Sequence, residues 1–116
     1  MFSPEERLQR GIAFKIEGRY DEATTELKFV IDSLPSHSEA RHQLGLVYGF
    51  IGMFDESVCL LEQATQLDAN NVLARNDLAL TYTMLGMYDK AKVEFARVLE
   101  RDRENDIALR NLSYIP

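Results

Sequence analysis

The sequence predicts an all-α fold built as an array of antiparallel helix pairs, an α-solenoid, and three observations carry that prediction. First, residues 17–23 (EGRYDEA) return as 51–57 (IGMFDES) and again as 85–91 (LGMYDKA), each copy 34 residues after the last. A fixed period of this length marks a small unit stacked on copies of itself. Second, helix-starting and helix-ending signals alternate twice per period. Third, aligning the chain at 34 residues produces columns of matched side-chain size.

The elements follow in order. Ser3-Pro4-Glu5-Glu6 supplies an N-cap, a first-turn proline and a reciprocal glutamate, which start a helix near Pro4. Gly18 ends it, and Asp21-Glu22 open a second helix where the helix dipole favours acids. That helix runs to about Ser33 and stops ahead of Pro35. Ser36-x-x-Glu39 has the pattern of another capping box. The scheme repeats over residues 38–52 and 55–68, then 72–86 and 89–102, and a seventh helix starts near Asp106. The predicted units are 4–37, 38–71 and 72–105, followed by a partial C-terminal capping helix at 106–116.

Two columns are small: Gly11, Gly45, Ala79 and Ala23, Ser57, Ala91. Such residues let two antiparallel helices approach closely. Bulkier columns fill the remainder: Phe14, Tyr48, Tyr82; Tyr20, Phe54, Tyr88; Leu27, Leu61, Phe95; Val30, Ala64, Val98. This pattern resembles the tetratricopeptide repeat, a helix–turn–helix unit of 34 residues. The resemblance covers 4–105 as three repeats and the opening of a cap at 106–114. It implies a right-handed superhelical array whose first helices line a concave face. The departures are Arg10 where Leu44 and Leu78 stand, and Ala69 and Arg103 in the column of Pro35. A coiled coil is the rival arrangement, but Gly18, Gly52 and Gly86 interrupt any long heptad run.

Composition narrows the function. Hydrophobic residues make up 46% and charged ones 28%, as in a folded domain. The net charge is −6, from 13 basic and 19 acidic residues, which argues against nucleic acid as a partner. Residues 38–71 are the most acidic unit, with Glu39, Asp55, Glu56, Glu62 and Asp68 against Arg41. The single cysteine, Cys59, excludes an internal disulfide. The first residues lack the basic start and apolar run of a signal peptide, so a cytoplasmic location is expected. The longest apolar stretch, Leu44 to Phe54, is 11 residues with three glycines, shorter than the ~20 that cross a bilayer, so direct membrane insertion is not expected.

Projection of the middle first helix at about 100° per residue separates two apolar faces. Tyr48, Leu44, Ile51 and Val47 form the packing stripe. His42, Leu46, Gly49, Glu39 and Phe50 lie on the other side, and a helix apolar nearly all round is expected to be covered. Stacking then places Leu8, His42 and Asn76 in one column, and Ile12, Leu46 and Leu80 in the next. Lys15 and Thr83 flank Gly49, while Ile16, Phe50 and Met84 complete the face, with Leu73 toward its end. The expected groove is mainly aliphatic and aromatic, with His42, Asn76 and Lys15 setting register. It suits a protein or peptide segment with apolar anchors, extended or helical.

Members of the family that grip acidic chaperone tails use Lys, Asn and Arg on these inner helices. The matching positions here are Leu8, Ile12, Gln43, Leu73 and Asp77, so such a clamp is not expected. Arg7, Arg41 and Arg75 recur at the period and read as snorkelling stems with their heads in water. His37 and His42 lack a third metal ligand, and Cys59 reads as an inert, partly buried thiol. Phosphate loops and zinc-protease spacings are absent, so neither cofactor nor enzyme activity is expected. At the far end a short cap is expected to leave parts of Leu85, Phe95 and Leu99 exposed. The expected role is a non-catalytic protein–protein interaction module. The alternative is a scaffold that forms homo-oligomers through the groove or the terminal repeat.

Overall fold

A computed structural model describes residues 1–116 as seven helices. They are α1 (Pro4–Ile16), α2 (Tyr20–Ser33), α3 (Ser38–Phe50), α4 (Phe54–Leu67), α5 (Val72–Met84), α6 (Tyr88–Arg101) and α7 (Asp106–Tyr114). The chain is an all-α solenoid in which α1/α2, α3/α4 and α5/α6 pair and each pair packs on the next. The body measures 48 × 26 × 20 Å with a radius of gyration of 14.4 Å, somewhat above the ~13 Å of a compact globule of this length.

Local chemistry explains the breaks. Ser3 and Glu6 exchange hydrogen bonds at the start of α1 (3.1 and 3.2 Å), the reciprocal box that its sequence predicts. Each first helix ends at a glycine in the left-handed region: Gly18 at φ +76°, Gly52 at +82° and Gly86 at +75°. The amide one residue further on donates back to Phe14, Tyr48 or Tyr82 at 2.8–2.9 Å, closing a Schellman turn that aims the chain into its second helix. The signature is therefore a turn.

The start of α3 corrects the expected Ser36–Glu39 box. The His37 amide bonds to the Leu34 carbonyl at 2.9 Å, so the turn ends one residue later than expected. His37 becomes the N-cap, and its Nδ1 accepts from the Ala40 amide at 3.1 Å. Asn71 and Asn105 take the same role for α5 and α7.

A Cβ on Gly11 would lie 2.8 Å from Leu27 Cγ, and one on Gly45 would lie 2.9 Å from Leu61 Cγ. Those leucines are fully buried against the backbone of the partner helix. The third unit differs by pairing Ala79 with Phe95 inside the same core. Two cores result. One gathers Leu8, Leu27, Val30, Leu44 and Val47; the other gathers Leu61, Leu78, Tyr82, Phe95 and Val98.

Three further expectations are corrected here. Leu85 and Leu99 keep part of their surface exposed as expected, but Phe95 is fully buried under α7 and its neighbours. Cys59 is exposed, because it sits on the outer side of α4. The arginine ladder does not simply hold its heads in water. Arg75 is buried and ion-paired to Glu94 at 2.6 Å, while Arg7 lies 3.6 Å from Glu26 and over the Phe29 ring. The acids recur two periods apart and draw the guanidinium groups inward. In the middle unit that column holds Leu60, and Arg41 donates instead to the Pro35 carbonyl and to Gln63.

Candidate interaction surface

The inner face is carried by α1, α3 and α5, and three zones can be distinguished on it. The first is closed. Leu8, His42 and Asn76 are 3%, 5% and 2% exposed, which corrects their assignment to an open groove. A projection of one helix omits its neighbour: this column faces the next first helix, so its side chains form the seam between units. His42 Nε2 lies 2.7 Å from Asp77 Oδ2, and Asn76 donates to Asn105 Oδ1 at 3.1 Å. Neither residue is free to set the register of a ligand.

A polar belt forms the second zone, where a mainly apolar groove was expected. Lys15 Nζ donates to Gln43 Oε1 at 2.5 Å, and Gln43 Nε2 donates to Glu39 Oε1 at 2.9 Å. Glu39 Oε2 stands 3.9 Å from His42 Nδ1. Partial burial pushes the Lys15 ammonium below its usual value of 10.5, and the fields of Asp77 and Glu39 offset only part of that cost.

The third zone is a recess of about 270 Å³ between α3, α4 and α5. Leu46, Phe50, Leu80 and Met84 converge on it, together with Gly49, Phe54, Ser57, Asp77 and Thr81. Its depth comes from small residues. A Cβ on Gly49 would meet Ser57 Oγ at 3.3 Å, and Ser57 itself is turned away to the Gly45 carbonyl at 2.7 Å. Phe50 is 61% exposed and Met84 69%, and the Phe50 ring stacks on Tyr20 with centroids 5.8 Å apart.

The remaining expected residues lie outside this recess. Ile12 is half-buried on α1, Ile16 and Leu73 are largely exposed, and Thr83 donates its hydroxyl to the Ala79 carbonyl at 2.9 Å. The sequence placed Phe54 in a packing column and Asp77 only among the positions that match the family's clamp, yet both line the recess. The signal for the cavity was present as the small pair Gly49 and Ser57, one on each helix of the same unit.

A larger recess of about 430 Å³ opens on the outer side, between α2 and α4 over α3. Its cations Lys28 and Arg41 are matched by Asp32 and Glu56, and Arg41 is already occupied within the chain. No three His, Cys, Asp or Glu side chains gather as a metal ion would require, and no helix is long and apolar enough to cross a membrane.

The family model for the tetratricopeptide repeat matches residues 52–113. No curated protein matches the chain in sequence. Among solved structures, the first TPR domain of Spaghetti (RPAP3) bound to the HSP90 peptide SRMEEVD is 21% identical with a TM-score of 0.91, over 97% of this chain and 89% of that one. The Arabidopsis OM64 TPR domain is 16% identical with a TM-score of 0.90, over 97% and 93%. The second TPR domain of human RPAP3, in complex with the HSP70 peptide SGPTIEEVD, is 26% identical with a TM-score of 0.87, over 97% and 98%.

Proposed function

The chain belongs to the tetratricopeptide repeat family, and we propose that it is a non-catalytic protein-interaction module that takes a partner's peptide or amphipathic helix along its inner face. The observation that carries this reading is the recess of Leu46, Phe50, Leu80 and Met84, with Phe50 and Met84 mostly exposed. Ile16 on α1 and Leu73 on α5 add exposed apolar side chains outside the recess, at 78% and 69% exposure. Contiguous apolar surface of this kind marks interaction sites, and alternate anchors of a helix or extended segment fit a cleft between helices. Affinity for such a groove is expected near micromolar, about −8 kcal/mol.

Two of the similar structures hold peptides of HSP90 and HSP70 that end in EEVD. Acidic tails of that type suit this surface poorly, because the positions matching the family's clamp are Leu8, Ile12, Gln43, Leu73 and Asp77, which supply no cation, and Asp77 repels a carboxylate at short range. Apolar anchors therefore dominate the proposed recognition. Affinity capture from native lysate, with the wild-type chain beside a Phe50→Ser/Met84→Ser variant, tests it. Both positions are exposed, so helical content is expected to stay constant while the captured partner is lost. Equal capture by both chains overturns the reading.

One observation favours self-assembly as a second reading. Ile107 and Tyr114, seven residues apart and so on one face of α7, are 43% and 79% exposed, leaving apolar side chains open at the end of the array. Sedimentation across a concentration range decides, since a strictly monomeric species removes it.

A further inference from the structure

The inner-face positions that recur at the 34-residue period carry three carboxylates, Glu5, Glu39 and Asp77, against one ammonium, Lys15. Lys15 spends its hydrogen bond on the neutral amide of Gln43 and forms an ion pair with neither Glu39 nor Asp77. Between those two acids lies His42, 5% exposed, with Nδ1 buried and lacking any hydrogen-bond partner. His42 Nε2 lies 2.7 Å from Asp77 Oδ2, and Nδ1 stands 3.9 Å from Glu39 Oε2, too far for a hydrogen bond. Neither Glu39 nor Asp77 has a Lys or Arg within ion-pair distance in the chain. The side chains of Glu39 and Asp77 remain 41% and 32% exposed, so a ligand can reach both. Asp77 also lines the apolar recess, which puts the acidic site beside the anchors.

Resting on the groove reading above, we infer that the partner segment carries a basic side chain, lysine or arginine, that seats against the exposed carboxylate edges of Glu39 and Asp77 while its neighbouring apolar side chains fill the recess. The net charge of −6 acts in the same direction, drawing a basic segment toward the chain before contact. The seat selects by sign: the cation supplies the partner that both carboxylates lack, and an acid at the same place adds a third negative charge.

Selection of a random 12-residue peptide library on the folded full chain tests this. Three targets are compared: wild type, Glu39→Gln/Asp77→Asn, and Phe50→Ser/Met84→Ser, with circular dichroism confirming equal helix content. Glu39→Gln alone is carried alongside, because Asp77 also holds His42 across the seam. The expected result on wild type is enrichment of apolar anchors together with Lys or Arg at a fixed offset, at least about threefold over the library. On Glu39→Gln/Asp77→Asn, or on Glu39→Gln alone if the double variant loses helix, the basic preference disappears, and on Glu39→Gln, which leaves the recess lining untouched, the anchors persist. Replacing that Lys or Arg by Glu in a selected peptide weakens binding at least about tenfold at low salt, and the ratio shrinks as salt rises. Anchors enriched without a basic residue, or with an acidic one, overturn the inference and leave the groove standing. A basic preference that survives on Glu39→Gln/Asp77→Asn overturns it as well. No enrichment on wild type over Phe50→Ser/Met84→Ser overturns the groove itself, and the basic seat with it.

Discussion

Arg75 and Glu94 meet at 2.6 Å with their side chains only 11% and 10% exposed, and Arg97 adds a second contact to the same carboxylate at 2.9 Å. Removing one partner of such a pair strands the other charge away from water, whereas removing both is tolerated. In the middle unit Leu60 stands in the column of Glu94, but Arg41 there donates to Gln63 instead, whose column holds Arg97 in the third unit and so offers Arg75 no substitute acceptor. Glu94→Leu is therefore expected to cost about 3 kcal/mol, with most of it recovered in Arg75→Met/Glu94→Leu. Urea titrations of the three chains measure both numbers, and a double variant as weak as the single one contradicts the argument. Lys15 poses the opposite case, a charge the fold disfavours. Burial holds its folded value below the 10.5 of the unfolded chain, so between those two values the unfolded state binds more protons. Stability is then expected to rise with pH across that window, and Lys15→Met to flatten the rise. Thermal melts from pH 8 to 10.5 check the sign.

At the level of the helix pair, the approach distance is set by two facing positions. Gly11 and Gly45 each receive a leucine so closely that an added Cβ would fall 2.8–2.9 Å from it. Gly45→Ala is expected to destabilise by about 1–3 kcal/mol through overpacking, and Gly45→Ala/Leu61→Ala to lose less than the sum of its parts. Additive losses in chemical denaturation would show that the two residues do not share the contact. Helix bounds were legible because these constraints recur: small residues at fixed positions, glycine at each turn, aromatic residues at each entry. The α3 start was not, since Ser36 and Glu39 satisfy a local pattern while the turn from Leu34 to His37 decides the cap. The column His37, Asn71, Asn105 carries the cap at the period and could have located it. The site divides the same way. Leu46, Phe50, Leu80 and Met84 keep the open side that one helix's projection gives them, because no neighbouring helix closes over the recess they line. Leu8, His42 and Asn76 do not, because the next unit covers them.

Across the whole molecule, the hydrophobic interior is split and not continuous. Leu8, Leu27, Val30, Leu44 and Val47 form one cluster, and Leu61, Leu78, Tyr82, Phe95 and Val98 form the other. Near the division lie buried polar side chains, among them His42, Gln43 and Ser57, whose hydrogen bonds are directional but bury little apolar area. A solenoid of this kind stores its stability in units and in nearest-neighbour contacts, so the two halves are expected to open with different free energies. Leu27→Ala, at a fully buried position of the first cluster, removes about 2–5 kcal/mol. Native-state hydrogen exchange in this variant is expected to show that loss in α1, α2 and α3, with amides of α5 and α6 losing distinctly less protection. An equal fall in all helices would mean that the seam couples the cores into one cooperative unit. In that event the interface of His42 with Asp77 transmits as much as the apolar packing does, and a ligand seated on it would stabilise both halves alike.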